Sequence, residues 1–420
     1  MERVYIGDCA EMNILFVTGD FAANEKSILG GMAGAVYKSA LGMQRRGHYV
    51  RILAVSYQNR QWKYKGVEVI SVRAQNALSE TSVVKSLFYI LQRESIIQKQ
   101  IKLLDEQKKI DVIQYTGWFG IGLLHYNSIP AVMRVSSYTK IQLVNNYSRK
   151  KKRLFSVVEY LAAKRMNFVF APSRLMAAGI EKELSKKVGV IETPFLSDRI
   201  KPDASVYQKK LKDKKYILFF GRMTVDKGIY VISEVIRKVL RENPNIYFVF
   251  AGGASGDIVK TLKTAAGEYI HRVIFLGVLA KSVLEPVIQN AEMVLMPSLA
   301  DNFPNGCAEA MALGKIVIGT NGSSLEQFIE DGVNGFLARI GDTDSLYRCI
   351  KRVMMLDDNT KKYIAENAKQ RIKRLDLETY SIHMENLYGE VIGIIISHPN
   401  RRKKSRSEVN NEVYSDNDCL

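Results

Sequence analysis

Two doubly wound, Rossmann-like α/β domains are what this 420-residue sequence predicts, and three observations carry the prediction. Apolar, largely β-branched runs alternate with amphipathic helical stretches through the first half, as in a parallel sheet with helical crossovers. The same alternation restarts at Lys215. The chain also exceeds the roughly 250–300 residues at which a single core stops growing. A polar interval carrying Pro202, residues 199–213, reads as the linker, with an N-terminal domain over 12–198 and a C-terminal domain over 214–376. In doubly wound sheets ligands bind beyond the carboxyl ends of the strands, so two such domains facing an interdomain cleft place the default site there.

The elements follow in chain order. Residues 1–11 mix acids with apolar residues and read as an extension ahead of Met12, whose following run Asn13–Thr18 is the first strand. Met32–Arg46 is a helix closed by Gly47, and Tyr49–Val55 and Val67–Val72 are strands. Val83–Gln107 is a long helix. Asp111–Tyr115 and Ala131–Val135 are strands, Phe155–Met166 a helix, Phe168–Ala171 a strand and Leu175–Leu184 a helix. In the second half Lys215–Phe220, Ile246–Ala251, Arg272–Leu276, Met293–Met296 and Ile316–Gly319 are strands. Helices are expected after Lys227, Ser255, Lys281, Gly306, Ser323 and Asp342. Residues 397–420 turn basic and polar and read as a disordered tail.

Composition narrows the function. With 47% hydrophobic and 25% charged residues the chain is of ordinary globular type. Its longest apolar runs, such as Val391–Ile396, fall far below the roughly 20 residues that span a bilayer. The N-terminus lacks the basic start and apolar core of a secretory signal. Cys9, Cys307, Cys349 and Cys419 show neither paired spacing nor a His at metal-ligand distance, which points to a reducing, cytoplasmic compartment and a metal-free site. The formal charge is +18, and residues 1–200 hold 30 Lys+Arg against 16 Asp+Glu. A lobe that basic suits an anionic surface, phospholipid or nucleic acid. The cluster Arg149-Lys150-Lys151-Lys152-Arg153, followed by Leu154, Phe155, Val157 and Val158, fits an interfacial helix or a solvated helix face, and both readings stand. Arg401–Arg406 is a short basic patch in the tail, a weak nucleic-acid signal.

The chemistry-bearing residues lie mostly in the second half. Phe219-Phe220-Gly221-Arg222 ends a strand, and Lys227-Gly228 opens the next helix. Gly221 lets the backbone pass close to a ligand, Arg222 can fork onto phosphate oxygens, and Lys227 adds a point charge at the positive helix end. Further on, Asp301 lies on an irregular loop and Glu309 in the first turn of a helix spanning Ala308–Leu313 and closed by Gly314. The pair can read sugar hydroxyls, or it can be a solvated loop acid and a complement to the helix dipole. Gly30-Gly31 opens the helix after the first strand, where free amides could meet phosphate. No G-x-G-x-x-G or P-loop pattern occurs, which disfavours nicotinamide and P-loop chemistry. None of His48, His125, His271, His383 and His398 sits in a nucleophile motif.

Taken together and in this order, the residues resemble the retaining nucleotide-sugar glycosyltransferases of family 4, with the GT-B fold. Gly30-Gly31 with Arg46-Gly47-His48-Tyr49-Val50 looks like the family's glycine loop and "RGHxV" turn, and Ala171-Pro172-Ser173-Arg174 like its late strand end. Gly221-Arg222 with Lys227-Gly228 is similar to its phosphate clamp, and Asp301 to Glu309 to its E-x7-E region in an "NFPN" form, with Asn334-Gly335-Phe336-Leu337 after it. The resemblance implies that Arg222 and Lys227 hold the diphosphate of a nucleotide-sugar donor and stabilise the leaving group. It implies that Glu309 holds the ribose, that Asp301 with the segment Asn302, Phe303, Pro304 and Asn305, through its free amides, holds the donor sugar, that Gly31 reaches the phosphate, and that Val278 and Leu279 meet the base. Transfer would retain the anomeric configuration and need no metal or other cofactor. A C-terminal helix over 377–396 would cross back onto the N-lobe. Two positions depart from the family pattern: the first acid is Asp301 rather than Glu, and Asp111-Val112-Ile113 runs into Gln114-Tyr115-Thr116 where a histidine is usual. No N-lobe catalytic histidine is therefore assigned, and Trp118 is the candidate sugar-stacking platform on the acceptor side. The expected enzyme builds a surface polysaccharide or lipid-linked glycan at the inner face of the membrane, its basic N-lobe toward anionic lipid. A catalytically silent nucleotide-sugar-binding module is the alternative; a nucleic-acid binder lacks any motif.

Overall fold

The computed structural model describes residues 11–24, 29–74, 82–125, 128–141, 147–196, 201–301 and 303–397, in two units. The expected tail beyond Ser397, most of the expected N-terminal extension and Asn302 lie outside the described residues.

The first unit runs β1 (Asn13–Thr18), α1 (Gly31–Arg45), β2 (Tyr49–Ser56), β3 (Arg60–Tyr64), β4 (Val67–Arg73), α2 (Val83–Gln107), β5 (Val112–Thr116), β6 (Ala131–Arg134), α3 (Arg149–Arg165), β7 (Phe168–Ala171), α4 (Arg174–Leu184) and β8 (Gly189–Val190). Its sheet has the order β3-β4-β2-β1-β5-β6-β7-β8. Strand order reverses between β1 and β5, where the carboxyl ends open a crevice. One face of the sheet buries Val17, Ile113, Tyr115, Met133 and Val169 against Ile90 and Ile97 of α2, Phe155 and Val158 of α3 and Ile180 of α4. Among the described strands only β3 runs antiparallel, paired with β4. Its hairpin turns at Lys65 and Gly66, both with positive φ, the primed turn that matches strand twist.

The second unit runs α5 (Ser205–Lys210), β9 (Lys215–Phe220), α6 (Ile229–Glu242), β10 (Ile246–Ala251), α7 (Gly256–Ala266), β11 (Val273–Gly277), α8 (Lys281–Gln289), β12 (Met293–Leu295), α9 (Asn305–Ala312), β13 (Val317–Asn321), β14 (Phe336–Arg339), α10 (Thr343–Met354) and α11 (Asp358–Lys373). The sheet is parallel throughout in the order β11-β10-β9-β12-β13-β14, and it switches between β9 and β12. Helix α6 buries Ile229, Ile232, Val235, Ile236, Val239 and Leu240 at helical spacing against that sheet. The interval expected as the linker carries α5, and Asp203 N donates to Ser282 O of α8 at 2.9 Å. The helix expected after Ser323 is a single 3-10 turn over Ser324–Gln327, because the chain must return at once to form β14.

The last helix, α12 (Leu377–Ser397), belongs to the first unit. It buries Tyr380, Met384, Leu387, Tyr388 and Val391. Polar contacts set its register: Tyr388 OH donates to Gln114 Oε1 at 2.5 Å, the hydroxyls of Tyr380 and Ser39 meet at 2.7 Å, and Gly42 of α1 lies under Ser381. Glu385 takes both Arg46 Nε and His48 Nε2. His48 Nδ1 accepts from Met12 N at 3.2 Å, so Nε2 carries the proton toward Glu385. The Arg-Gly-His turn is thus a clamp for a helix more than 300 residues away in sequence.

Candidate functional site

The switch point of the second sheet is built from two loops pinned together. After β9, Gly221 takes φ +120° and passes into Arg222, Met223 and a 3-10 turn at Val225–Lys227. After β12, Pro297 to Asp301 lies against that turn: Leu299 N donates to Asp226 O at 2.8 Å and Ala300 N to the same oxygen at 3.3 Å. Gly228 joins the turn to α6 at φ +72°, and a Cβ there would fall 1.8 Å from Pro297 O. Only glycine lets the loops approach so closely.

Into this junction the chain sends opposite charges. Lys227 Nζ lies 2.6 Å from Asp301 Oδ2, and Ser298 Oγ donates to the same carboxylate oxygen at 3.5 Å. Ser298 is itself held through its carbonyl, which accepts from Thr320 Oγ1 at 2.6 Å. The Arg222 guanidinium is exposed and forms no hydrogen bond or ion pair with any described residue; Asp226, four positions on, is not its partner. A guanidinium fork of five donors without a carboxylate partner can take an external anion. The two groups that the sequence suggested separately, a cationic clamp and a carboxylate pair, are therefore joined by the Lys227–Asp301 contact.

Glu309 corrects one expectation. Helix α9 begins at Asn305, three residues earlier than predicted, so Glu309 lies in its second turn, half-buried, and the first turn holds no acid. The early start follows from packing. Gly306 sits against Phe220 and Met296, where a Cβ would come within 3.0 Å of Met296 Cε, so the Asn-Gly pair that reads as loop is absorbed into the helix. The expected close is present, with Gly314 at φ +69° and its N–H on Met311 O. Pro304 is buried at the N-cap position, and Phe303 meets the Phe328 ring edge-on at 5.0 Å, with Arg371 over the other ring at 5.1 Å. Asn305 N donates to Phe303 O. Cys307 is buried one turn ahead of Met311; burial first, and the charge of Asp301 second, push its thiol up, which leaves it unreactive.

On the other side of β9, Gly252 N donates to Gly277 O at 2.7 Å, bringing Val278 and Leu279 to the same sheet edge. Val278 is exposed at 79%, and Leu279 is half-buried on the core. Gly30 and Gly31 belong to the first unit, exposed at the N-cap and first residue of α1. There too lies the segment where a histidine was missing: Gln114 is buried under Tyr388, and Thr116 is buried at the end of β5. Trp118 follows at the β1/β5 switch point, its ring against Gly19. Two buried carboxylates anchor this edge. Glu94 Oε2 accepts from Gly122 N at 2.9 Å, while Arg93 Nη2 donates to Phe119 O at 2.7 Å. Glu159 accepts from Thr139 N and Oγ1, and burial pushes its carboxyl up to about 7. Sequence reading missed these anchors, as it missed Ser298 and Thr320; no spacing marks a carboxylate whose partner is a loop amide.

Two family models match the chain. One, described as "Glycosyl transferases group 1", matches residues 202–371, and the other, "Glycosyl transferase 4-like domain", matches residues 30–188. The uncharacterized glycosyltransferase MJ1607 of Methanocaldococcus jannaschii is 26% identical over 401 residues, covering 91% of this chain and 97% of that protein. The lipopolysaccharide 1,2-N-acetylglucosaminetransferase of Salmonella typhimurium is 27% identical over 218 residues, about half of each chain (49% and 57%). Among solved structures, Anabaena Alr3699/HepE in complex with UDP and glucose superposes with a TM-score of 0.68 at 19% identity, over 90% of this chain and 100% of that one.

Proposed function

We propose that this chain, which belongs to the glycosyl transferases group 1 family and has the GT-B fold, moves a sugar from a nucleotide-diphosphate-sugar donor to a glycan or lipid-linked acceptor with retention of anomeric configuration. The observation that carries the reading is the junction at the β9/β12 switch point, where Arg222, without a partner among the described residues, and a positioned Lys227 stand at a helix start. In the reaction the bond from the anomeric carbon to the diphosphate oxygen breaks, and that oxygen keeps the electron pair. The acceptor hydroxyl oxygen bonds to the anomeric carbon on the same face, and its proton passes to the departing phosphate oxygen. Arg222 and Lys227 stabilise the charge that grows on the diphosphate, the kind of preorganised electrostatic effect that dominates such steps. Glu309 takes the ribose hydroxyls, Asp301 and the amides at the start of α9 take the donor sugar, and Gly221, Val278 and Leu279 line the nucleotide. No metal is needed, so chelator should leave turnover unchanged.

The relative that acts on lipopolysaccharide and the basic N-terminal unit support an acceptor made at a membrane surface. Among the described residues no helix is long and apolar enough to cross a membrane; the excess of Lys and Arg in residues 1–200 is what supports a peripheral place at the cytoplasmic face. The decisive experiment measures nucleotide release from a panel of nucleotide sugars with acceptor present, for the native chain and for Arg222→Ala and Glu309→Ala. Both variants should fold and lose transfer by about a hundredfold or more; native turnover in both would overturn the site.

A further inference from the structure

The first turns of helix α2 carry four large apolar side chains outward. Val84, Leu87, Phe88 and Leu91 are all exposed, Val84 at 77% and Phe88 at 60%. Their spacing of i, i+3, i+4 and i+7 makes one stripe along the first turns. The opposite face, with Ser86, Ile90, Arg93, Glu94 and Ile97, is buried. Helix α3 packs beside α2 and adds exposed Val157 and Leu161, one turn apart.

The charge around the stripe has one sign. On α2, Lys85 and Lys99 are exposed; on α3, so are Arg149, Lys150, Arg153, Lys164 and Arg165. The acids within 83–104 and 149–165 are Glu94 and Glu159, both buried; Asp105 and Glu106 follow at the far end of α2, away from the stripe, where Glu106 pairs with Lys102. Lys151 departs from the surface cluster read in the sequence: it is buried over the Tyr147 and Phe155 rings. Each helix also begins at the carboxyl edge of the sheet, since each follows a parallel strand, β4 and β6. The apolar stripe and the Arg149–Arg153 cations therefore lie toward the edge that holds the β1/β5 switch point.

We propose that this face of α2 and α3 seats the protein on an anionic phospholipid surface, with Val84, Leu87, Phe88 and Leu91 in the headgroup layer and the α3 cations on lipid phosphates. The inference rests on the proposed membrane-surface acceptor and names the surface that would bring it within reach. An apolar stripe rimmed by cations matches an interface that is oily inside and anionic outside. A nucleic acid would answer the cations and leave the stripe in water. A second copy would set cation against cation across a two-fold axis.

The test floats the full chain with vesicles of phosphatidylcholine alone or mixed with phosphatidylglycerol, without donor or acceptor. Flotation should need phosphatidylglycerol and weaken with salt. Phe88→Ser with Leu91→Ser should cut membrane affinity about fivefold or more through lost apolar burial, and separately Arg149→Glu with Arg153→Glu should cut it about 25-fold or more, each cation lost being worth about fivefold. Urea unfolding should be unchanged, because the side chains are exposed. No flotation with anionic vesicles overturns the proposal, as does flotation of both variants at the native level. So does a dimer in size-exclusion that Phe88→Ser with Leu91→Ser dissolves, or DNA binding that outcompetes vesicles. Sugar transfer plays no part in the assay, so its failure leaves the transferase reading standing, and absence of transfer with every donor leaves flotation to be judged alone.

Discussion

At Lys227 the sequence suggested a free point charge and the structure supplies a partner, Asp301, at 2.6 Å. The contact is partly exposed, at 30% and 12%, so its worth to folding is small, about 1 kcal/mol or less. Its worth to catalysis is larger if the ammonium is held where the diphosphate charge grows. Lys227→Ala should therefore lower turnover about 100-fold to 1000-fold while shifting the urea midpoint little; equal losses in both would make Lys227 structural. Gly228 is the converse case. Gly228→Ala meets both a left-handed φ and the Pro297 carbonyl, and should cost at least about 1–3 kcal/mol in urea unfolding. A wild-type midpoint would contradict the close approach of the two loops.

Elements were legible where apolar runs are unbroken and well punctuated. β1, α2, β7, β9 and β10 lie at the predicted bounds. β3, β8 and β14 did not announce themselves: they are short, and β3 exposes Arg60 and Gln61 at a sheet edge. The candidate site was legible at Gly221, Arg222 and Lys227 because glycine and basic residues at a strand end have few other uses. The start of α9 was not, because tertiary packing at Gly306 overrode local propensity. The Arg-Gly-His turn was legible as a motif, but its partner Glu385 was not. Glu385→Ala removes a buried acid from two bases and should destabilise the first unit by about 3 kcal/mol, read as a lowered urea midpoint. Glu159, on α3, gives a pH test. Its carboxyl titrates near 7 when folded against about 4.3 when unfolded. The folded state therefore binds its proton more tightly, so the stability it contributes is present below about pH 4.3 and is lost as pH rises through about 7, by about 3–4 kcal/mol in all. Glu159→Gln should remove that slope between about pH 5 and 7.5; an unchanged slope would show that Glu159 is not its source.

For the whole molecule, charge and composition pointed early to an anionic partner, while donor and acceptor identity are written in side-chain positions that no pattern reveals. A panel of nucleotide sugars read by thermal shift should therefore single out one donor, since a ligand present at about 100 times its Kd adds about 2.7 kcal/mol to stability. Arg222→Ala should abolish that shift. A rise with every nucleotide sugar alike would mean that the sugar is not read by the site at Asp301 and α9.

The helix that completes the first sheet leaves the ribosome only after the whole second unit. Between Pro194 and Leu377 lies the second unit, some ten to forty seconds of synthesis at about 5–20 residues per second. Through that interval the nascent first sheet has Gln114 without Tyr388, and His48 and Arg46 without Glu385. The second unit, although later in sequence, is the first that can finish, and the first must be kept from aggregating until α12 arrives. Protease protection of nascent chains stalled before and after Val391 would reveal that order, and early protection of the first unit would refute it.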